Sequence, residues 1–312
     1  MIVVAAFSPA LDTTYEVDDL VLGAPHRPTA VVRVAGGKAL NMARAASRLG
    51  ADVVAVPVLG GHLGDLVEEL LRADGVRARA VRTDIGTRVC VSVASTAAGT
   101  LTELYEHPVP VPGPAVDAVL STVADELRPG SWLSVSGGMP RDARPGLLAE
   151  LARGAAAGGA HLALDTHGPA LREVLEARVP IALLKVNRAE AAGALGLPEA
   201  TDLGELVTGL LTLTGTSVVV TDGVDGALAA DGTGRWHAGL PAVAGGQPVG
   251  SGDSFLGGLV AALDAGAGLQ EALATATGAA AANAEVPGAG AFAAERAREL
   301  AALVRVVERG DP

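Results

Sequence analysis

The chain has 312 residues, enough to bury a large core as one α/β domain or as one domain with a small accessory part. The formal net charge of −12 disfavours nucleic acid and anionic membranes as partners. The one cysteine, Cys90, excludes an intramolecular disulfide, and the six histidines show no paired spacing typical of a zinc site.

The first residues, Met-Ile-Val-Val-Ala-Ala-Phe, lack the basic segment of a secretion signal and are too short to span a membrane. We therefore expect a cytoplasmic location. Aromatic residues make up only 2% of the sequence, which argues against aromatic stacking platforms for sugars or bases.

Two pairs of segments alternate apolar and polar residues, as half-buried strands do. They are residues 12–17 with 29–34, and residues 88–95 with 100–106. This alternation makes them poor candidates for a parallel sheet that is covered on both faces.

A glycine-rich turn follows the first pair. Gly36-Gly37-Lys38-Ala39-Leu40-Asn41 opens a predicted helix that runs to Arg48-Leu49-Gly50, followed by an apolar strand over residues 51–59. Because a second glycine-rich turn lies near the other end of the chain, we expect two phosphate-binding turns and two ligands.

Short apolar strands then alternate with Ala- and Leu-rich helical stretches. The strands are predicted at residues 52–57, 132–135, 161–165, 181–185 and 217–221. This is the βαβ pattern of a parallel sheet with helices on both faces. No fixed repeat and no long linker interrupt it, so residues 1–312 are predicted to form a single domain.

The run Gln247-Pro-Val-Gly-Ser-Gly-Asp-Ser-Phe-Leu-Gly-Gly-Leu-Val260 places Asp253 after three small residues, at the start of an apolar helix. Gly250, Ser251 and Gly252 leave backbone N–H groups and the positive helix end free to face an anion. A carboxylate beside an anion site repels the anion. The arrangement makes sense if Asp253 takes a proton from a hydroxyl that attacks a phosphate. An ordinary loop with an Asp helix cap is the alternative.

The two glycine-rich segments together resemble the PfkB (ribokinase-like) family of carbohydrate kinases. The spacing of Gly36-Gly37, Asn41, Ala43, Gly50 and Gly60 is similar to the N-terminal family motif, and residues 248–260 are similar to the C-terminal one. Further similar pieces, in family order, are Ser8–Asp12, Thr87-Arg88, Thr102-Glu103, residues 136–140, residues 185–190, residues 221–228 and Ala282-Asn283. The first piece looks like the opening strand of the 1-phosphofructokinase and tagatose-6-phosphate kinase branch.

The resemblance implies an α/β fold of the ribokinase-like type, a three-layer α/β/α arrangement around a mostly parallel sheet. It implies ATP and Mg²⁺ as cofactors. It also implies a small β-lid, drawn from about residues 12–34 and 88–106, that covers the sugar and is often shared in a homodimer. Such a lid keeps water from accepting the phosphoryl group.

The resemblance also implies roles for individual residues. Asp253 would be the general base, and the N–H groups of Gly250, Ser251 and Gly252 would hold the transferring phosphate. The residues implied at the acceptor are Asp12, Gly36, Gly37, Lys38, Asn41, Arg88 and Gly137. Asp12 would take two sugar hydroxyls, which suits the several acceptor sites of a carboxylate.

On the nucleotide side, the resemblance implies that Asn187 and Glu190 organise Mg²⁺ and its water shell. Thr221, Gly223 and Gly226 would form the nucleotide loop, and Asn283 would line the adenine pocket. Read alone, Asn187 and Glu190 are also typical of a solvated helix start with an acid in its first turn. Asp-Gly-Val-Asp-Gly at 222–226 is also typical of a plain turn.

Some residues depart from the phosphosugar branch. Its Arg-x-Asn-x-Lys is Arg88-Val-Cys-Val-Ser92 here, and its Ser-Gly-Ser-Leu-Pro is Ser136-Gly-Gly-Met-Pro140. Each lost charged hydrogen bond costs about 1.5–3 kcal/mol of affinity. Gln247 replaces the usual Asp or Ser, which puts a monovalent-cation site near that loop in doubt.

Three functions remain open at this point. The first is an ATP-dependent kinase of the 1-phosphofructokinase type, which converts fructose 1-phosphate to fructose 1,6-bisphosphate. The second is a PfkB kinase for an unphosphorylated sugar, cyclitol or nucleoside, with Lys38 and Arg88 in structural or lid-pairing roles. The third is a catalytically silent sugar- or nucleotide-binding protein, against which the retention of Asp253, the Gly250–Gly252 turn and Glu190 argues.

Overall fold

The computed structural model describes residues 1–140, 142–241 and 249–310. Gln247 and Pro248 of the C-terminal motif lie outside these residues, as does the cation site considered there.

Strands and helices alternate along most of the described chain, as the sequence predicts. The strands are β1 (Ile2–Ala6), β2 (Ala10–Val17), β3 (Ala30–Gly36), β4 (Val53–Gly60), β5 (Arg77–Ala78), β6 (Val81–Thr83), β7 (Arg88–Ser95), β8 (Thr100–Tyr105), β9 (Trp132–Ser136), β10 (His161–Asp165), β11 (Leu183–Asn187), β12 (Ser217–Thr221), β13 (Ala227–Ala230), β14 (Arg235–Ala238) and β15 (Val306–Glu308). The helices are α1 (Lys38–Arg48), α2 (Gly61–Ala73), α3 (Gly113–Glu126), α4 (Leu147–Ala157), α5 (Gly168–Ala177), α6 (Arg188–Leu195), α7 (Leu203–Thr214), α8 (Ser251–Asp264), α9 (Leu269–Ala284) and α10 (Ala294–Ala301).

The large sheet has the order β15-β14-β13-β12-β11-β10-β9-β1-β4-β5, with β6 beside β4. The strands from β12 to β5 run parallel, and β13, β14 and β15 add antiparallel pairs at one edge. The fourth predicted strand begins two residues later than expected, at Leu183. Lys185 therefore lies inside β11, and Asn187 ends it.

Two apolar cores cover the two faces of this sheet. In β1, Ile2 and Val4 face a core shared with α1, α2, α8 and α9, while Val3 and Ala5 face a core shared with α3 to α7. Neighbouring side chains of a strand point to opposite faces, so a strand buried on both sides reads as a continuous apolar run. The predicted three-layer α/β/α fold with a mostly parallel sheet is confirmed.

The two alternating pairs form a separate four-stranded sheet in the order β3-β2-β7-β8, called the small sheet below. Its register places Asp12 beside Val34 and Cys90, and Cys90 beside Tyr105. β3 continues two residues beyond its predicted end, so that Gly36 pairs with Ala10. The small sheet therefore ends directly at the glycine-rich turn before α1.

The carboxyl ends of the parallel strands form the edge at which open α/β sheets usually bind ligands. The helices α1 and α8 both begin at this edge, so their N-termini lie close together. No helix of the described residues is both long and apolar enough to cross a membrane.

Candidate active site

A cleft of about 530 Å³ opens at this edge, between the large sheet and the small sheet. Thirteen of the residues that the sequence predicts for the site border it: Asp12, Gly36, Gly37, Lys38, Asn41, Arg88, Gly137, Asn187, Glu190, Thr221, Gly250, Gly252 and Asp253. The two glycine-rich turns, more than 200 residues apart in the chain, thus meet in one cleft.

Asp253 is the third residue of α8 and is only 8% exposed. The Asn41 amide donates a hydrogen bond from Nδ2 to Asp253 Oδ2 over 2.9 Å. Burial raises the pKa of Asp253 to about 6, with the Asn41 hydrogen bond opposing the rise and the nearby Asp165 adding to it. The carboxylate can therefore accept a proton near neutral pH.

The N-terminus of α8 forms the anion-binding turn that the sequence predicts. Gly250 precedes the helix with a φ of 80°, and no side chain caps the helix. A β-carbon on Gly250 would lie 2.2 Å from Ala289 Cβ, so only glycine fits this turn. The first N–H groups of the helix have no partner within it, which suits them to bind a phosphate.

Asp12 approaches the cleft from the small sheet. A β-carbon on Gly36 would lie 1.9 Å from Asp12 Cγ, so glycine at position 36 makes room for the carboxyl group. The Gly37 N–H donates to Asp12 Oδ2 over 3.3 Å, whereas Oδ1 is buried without a hydrogen-bond partner. Burial raises the pKa of Asp12. The free oxygen suits a ligand hydroxyl, because buried polar atoms normally have a partner.

A smaller cavity of about 20 Å³ adjoins the cleft under the small sheet. Asp12, Cys90 and Tyr105 line both spaces. Burial, followed by the neighbouring Asp12 carboxylate, raises the pKa of the Cys90 thiol to about 11. Cys90 is therefore a neutral group where the cleft and the smaller cavity adjoin.

Arg44 lies behind Asn41 and is completely buried. Its guanidinium donates to the carbonyl oxygens of Ala35 and Ala289, to Asn41 Oδ1 over 3.4 Å, and to Asp74 Oδ2 over 2.6 Å. A buried cation is tolerated only when paired and hydrogen-bonded, and these contacts satisfy that need. The same contacts join α1, the end of β3 and the turn before α10.

Lys185 and Asp165 form a buried ion pair at the floor of the cleft, which the sequence analysis did not single out. Their Nζ and Oδ2 atoms are 2.7 Å apart, and the side chains are only 6% and 1% exposed. Lys185 Nζ lies 3.4 Å from the point that a β-carbon on Gly252 would occupy. A lysine within the apolar run Leu183-Leu-Lys-Val186 is the sequence signal that could have revealed the pair.

Lys38 faces the carboxylates of the cleft. Its Nζ is 3.6 Å from Glu190 Oε1 and 4.0 Å from Asp165 Oδ1. Burial alone would lower the pKa of Lys38, but the carboxylates of Asp165, Glu190 and Asp253 outweigh it and raise the pKa. Lys38 is therefore a cation, held in place by two acidic groups.

Arg88 connects the small sheet to its surroundings. It donates from Nη1 to the Glu106 carbonyl oxygen over 2.8 Å, and from Nη2 to the Ser8 carbonyl oxygen over 3.3 Å. Its Nε is buried without a partner. These contacts have the form expected of a pairing role in the small sheet, and they leave part of the guanidinium free for a ligand.

Asn187 and Glu190 form a capping box at the start of α6. The Glu190 N–H donates to Asn187 Oδ1 over 2.8 Å, and the Asn187 N–H donates to Glu190 Oε2 over 2.9 Å. Glu190 Oε1 remains directed at Lys38, and Asp165 Oδ1 is buried without a hydrogen bond. Glu190 borders the cleft, and its carboxylate fits Mg²⁺, which is commonly held by one or two carboxylates, water and substrate phosphates. Within the described ranges, no three metal-binding side chains cluster together.

A family model described as pfkB family carbohydrate kinase matches residues 5–296 of the chain. The chain belongs to the pfkB family. It is therefore an ATP-dependent sugar kinase, as the resemblance implies, and the catalytically silent alternative is set aside.

Relatives of this pfkB kinase carry phosphosugar kinase names. It is 30% identical over 266 residues to a 1-phosphofructokinase from Xanthomonas campestris pv. campestris, covering 84% of this chain and 83% of the relative. It is 27% identical over 266 residues to a tagatose-6-phosphate kinase from Staphylococcus epidermidis, covering 84% and 85%. The crystal structure of phosphofructokinase-2 from Escherichia coli in complex with fructose-6-phosphate has the same fold, with a TM-score of 0.88 at 24% identity and coverage of 97% and 98%.

Four predicted site residues of the pfkB kinase are absent from the described lining of the cleft: Ser251, Gly223, Gly226 and Asn283. Gly223 and Gly226 lie in a tight turn between β12 and β13, where the Asp222 N–H donates to the Gly226 carbonyl oxygen over 2.8 Å. This geometry is that of the plain turn considered above, although Thr221 before it does border the cleft.

Asn283 lies in α9, outside the described lining of the cleft. It is fully buried, and its side-chain amide bonds only to other parts of the protein. No atom of this side chain is exposed, and the contact with adenine stays a prediction.

Proposed function

We propose that this pfkB kinase transfers the γ-phosphoryl group of ATP to a hydroxyl of a sugar phosphate, in the manner of a 1-phosphofructokinase acting on fructose 1-phosphate. The observation that carries this proposal is Asp253, a buried carboxylate with a pKa raised to about 6, beside the uncapped N-terminus of α8. The names of the two relatives favour a phosphorylated acceptor.

In this proposal Asp253 accepts the proton of the acceptor hydroxyl as the oxygen bonds to the γ-phosphorus. The bond from that phosphorus to the bridging oxygen breaks, and ADP leaves. The N–H groups of Gly250, Ser251 and Gly252, with the Lys185 ammonium, face the negative charge of the transferring group. Asp12, assisted by the backbone of Gly36 and Gly37, orients the acceptor hydroxyls.

Asn41 takes a different part from the one that the resemblance implies. Its Nδ2 is bonded to Asp253, so its amide orients the base and lowers the pKa of that carboxyl. Contact with the acceptor is then left to the remaining atoms of its side chain. Gly137, directly after β9, borders the cleft and is assigned to the acceptor in this proposal.

Mg²⁺ would be held by Glu190 together with water, and when bound it would neutralise charge on the nucleotide phosphates. Asn187 keeps Glu190 in place through the capping box. Thr221, Gly223 and Gly226 belong to the nucleotide side of the proposal, where Thr221 borders the cleft.

Substitution Glu190→Gln should raise the Mg²⁺ concentration needed for half-maximal activity, because a neutral amide binds a hard cation more weakly than a carboxylate does. The glutamine oxygen can still accept the Asn187 N–H, so the thermal midpoint should change little. Activity titrated against Mg²⁺ checks this, with the exposed Glu199→Gln as the control. An unchanged titration would remove Glu190 from the metal site.

The small sheet acts as a lid in this proposal, within a single domain of residues 1–312. Asp12, Cys90 and Tyr105 are cross-strand neighbours on β2, β7 and β8, and all three border the cleft. Val31 of β3 and Leu104 of β8 are exposed apolar residues of the same sheet. Covering them in a homodimer formed through the small sheet would remove apolar surface from water.

Substitution Arg88→Ala should raise the KM for a phosphorylated acceptor about tenfold or more and leave the KM for ATP nearly unchanged. A charge-assisted contact is worth about 1.5–3 kcal/mol, and in this proposal Arg88 contacts only the acceptor. Steady-state kinetics with each substrate check this. Arg88→Lys is the matched control, because it keeps the charge and loses the paired carbonyl contacts.

A neutral acceptor predicts a different outcome for the same variants. Arg88→Ala would then act mainly on the order of the small sheet, in line with its bonds to Glu106 and Ser8. Added salt would scarcely change the acceptor KM, because no ion pair with the acceptor would be screened. The neutral groups Cys90 and Ser92 near Arg88 favour this second candidate.

A kinase assay with ATP and Mg²⁺ decides the acceptor. The panel holds fructose 1-phosphate, fructose 6-phosphate, tagatose 6-phosphate, free hexoses, a cyclitol and nucleosides. We expect the highest kcat/KM with a sugar phosphate. A highest value with an unphosphorylated acceptor would overturn the 1-phosphofructokinase assignment and leave the chemistry at Asp253 standing.

A further inference from the structure

Asn283 lies in α9, behind the turn that precedes α8. Its Nδ2 donates to the Val249 carbonyl oxygen over 2.8 Å and to Ser251 Oγ over 3.1 Å. Its Oδ1 accepts from Ser254 Oγ over 3.0 Å and from the Gly290 N–H over 2.7 Å. Both donors and both lone pairs of the amide are therefore used inside the protein.

The two donated bonds hold the residues on either side of Gly250. A trans peptide is planar, so its C=O and N–H groups point in opposite directions. Because the Val249 carbonyl is held toward Asn283, the Gly250 N–H of the same peptide points away from it. Gly250 itself borders the cleft. Asn283 thus fixes the direction of a backbone donor without bordering the cleft itself.

The surroundings of Asn283 offer little other reason for a polar side chain. Its neighbours Ala279, Ala281 and Ala282 in α9 belong to an apolar cluster with Phe292 and Leu300. A buried amide costs free energy unless it is hydrogen-bonded. All four bonds of this amide go to the turn and helix start at 249–254 or to Gly290, so its contacts are concentrated on the anion-binding turn.

We propose that Asn283 is a positioning residue for phosphoryl transfer, which aims the backbone N–H groups of the Gly250 turn at the transferring phosphate by holding the Val249 carbonyl and the Ser251 hydroxyl. This inference rests on the proposed kinase function. Donors that are fixed before the reaction stabilise the transition state without reorganisation, so loosening them lowers kcat more than it weakens binding of ground-state substrates.

Asn283→Asp is the main test, because it keeps the shape and replaces the donating NH₂ group by an oxygen that repels the Val249 carbonyl. We expect kcat to fall about 10²-fold, the scale found when a catalytic donor is lost or displaced. KM for the acceptor and Kd for ADP should change by less than about threefold. Affinity for ADP with aluminium fluoride and acceptor, a mimic of the transition state, should fall in parallel with kcat.

Thr277→Val is the matched control in the same helix. Thr277 is fully buried and its hydroxyl has no hydrogen-bond partner, so the change tests packing of α9 alone. We expect its kcat to stay near that of the unmodified enzyme. If Asn283→Asp does not fold, Ser251→Ala removes one of the two held groups, and its kcat should fall while the Kd for ADP is preserved.

The proposal is overturned if folded Asn283→Asp retains kcat within about twofold. A loss of kcat together with an equal fold loss of ADP affinity and a lowered thermal midpoint would also overturn it. That combination is expected of a residue with a merely structural role. With Ser251→Ala, an unchanged kcat would do the same. These outcomes differ from failure of the proposed function, in which the unmodified enzyme phosphorylates no acceptor of the panel.

Discussion

Asp253→Asn is expected to lower kcat by about 10² to 10⁴ and to leave the Kd for ATP nearly unchanged. The asparagine keeps the shape of the side chain and can still accept the bond from Asn41, but it cannot take a proton from the acceptor hydroxyl. Single-turnover kinetics and ATP binding, measured on the same preparation, check both parts. A near-normal kcat with any accepted substrate would remove Asp253 from the mechanism.

The pH dependence gives an independent check on the same residue. Burial raises the pKa of Asp253 to about 6, and the base works only as the carboxylate. kcat/KM should therefore fall about tenfold per pH unit below pH 6 and level off above it. In Asp253→Asn this acid limb should disappear from the residual activity. An acid limb that persists in the variant would belong to another group.

The contribution of Asp253 to the free energy of unfolding should fall as pH rises, whereas kcat/KM rises. The raised pKa means that folded Asp253 binds its proton more tightly than the unfolded chain does, so this group favours folding at low pH. That contribution is lost as pH rises from the unfolded value near 4 through about 6, and amounts to about 3 kcal/mol at most. Asp253→Asn should then be at least as stable as the unmodified enzyme at pH 8, measured by denaturant unfolding.

Lys185→Met is expected to lower the free energy of unfolding by about 3 kcal/mol, because it removes the hydrogen-bonded cation of the buried Asp165 and leaves only Lys38, 4.0 Å away, to offset the charge. Asp165 is only 1% exposed, so water cannot solvate the carboxylate that remains. Activity should fall as well, since Lys185 Nζ lies beside the Gly252 turn. Chemical denaturation and kcat, measured together, check the two effects.

The double variant Lys185→Met with Asp165→Asn separates stability from catalysis. Removing both charges should recover most of the lost stability, since a buried ion pair is commonly no better than a neutral pair of similar shape. kcat should stay low, because the cation near the transferring phosphate is still missing. If the double variant is as unstable as the sum of the single ones, the pair is not coupled in the way its geometry indicates.

Local patterns allowed the sequence to predict most elements and the two glycine-rich turns. The helix over 38–48 and the strands β7, β10 and β12 fall where periodicity places them, because period and turn residues act within one element. Asp253 was predicted from its place after three small residues at a helix start, and Asp12 and Asn41 were predicted through the family resemblance. The alternation of the small sheet was visible because one side of each strand is only partly buried.

Contacts between distant segments were beyond the sequence patterns. Lys185 and Asp165 pair across neighbouring strands, and the sequence gives no register for that pairing. The placement of Asn283 depends on how α9 packs behind the Gly250 turn, so a matched motif position does not reveal that the amide is buried. The hydrogen bond from Asn41 to Asp253 likewise forms only when α1 packs beside α8.

The buried guanidinium of Arg44 anchors one end of the small sheet, whereas the opposite end has no such contact among the described residues. Arg44 holds the carbonyl of Ala35, at the base of β3, whereas Leu22 in the opposite loop is 93% exposed. Local unfolding starts where few contacts must break, so backbone amides near Ala35 should exchange with deuterium far more slowly than those around Leu22. Any closure over the acceptor would then bend the outer parts of the strands while the end at Ala35 stays fixed. Asp12 lies near that fixed end, so its carboxylate would keep its position relative to Asp253 during closure.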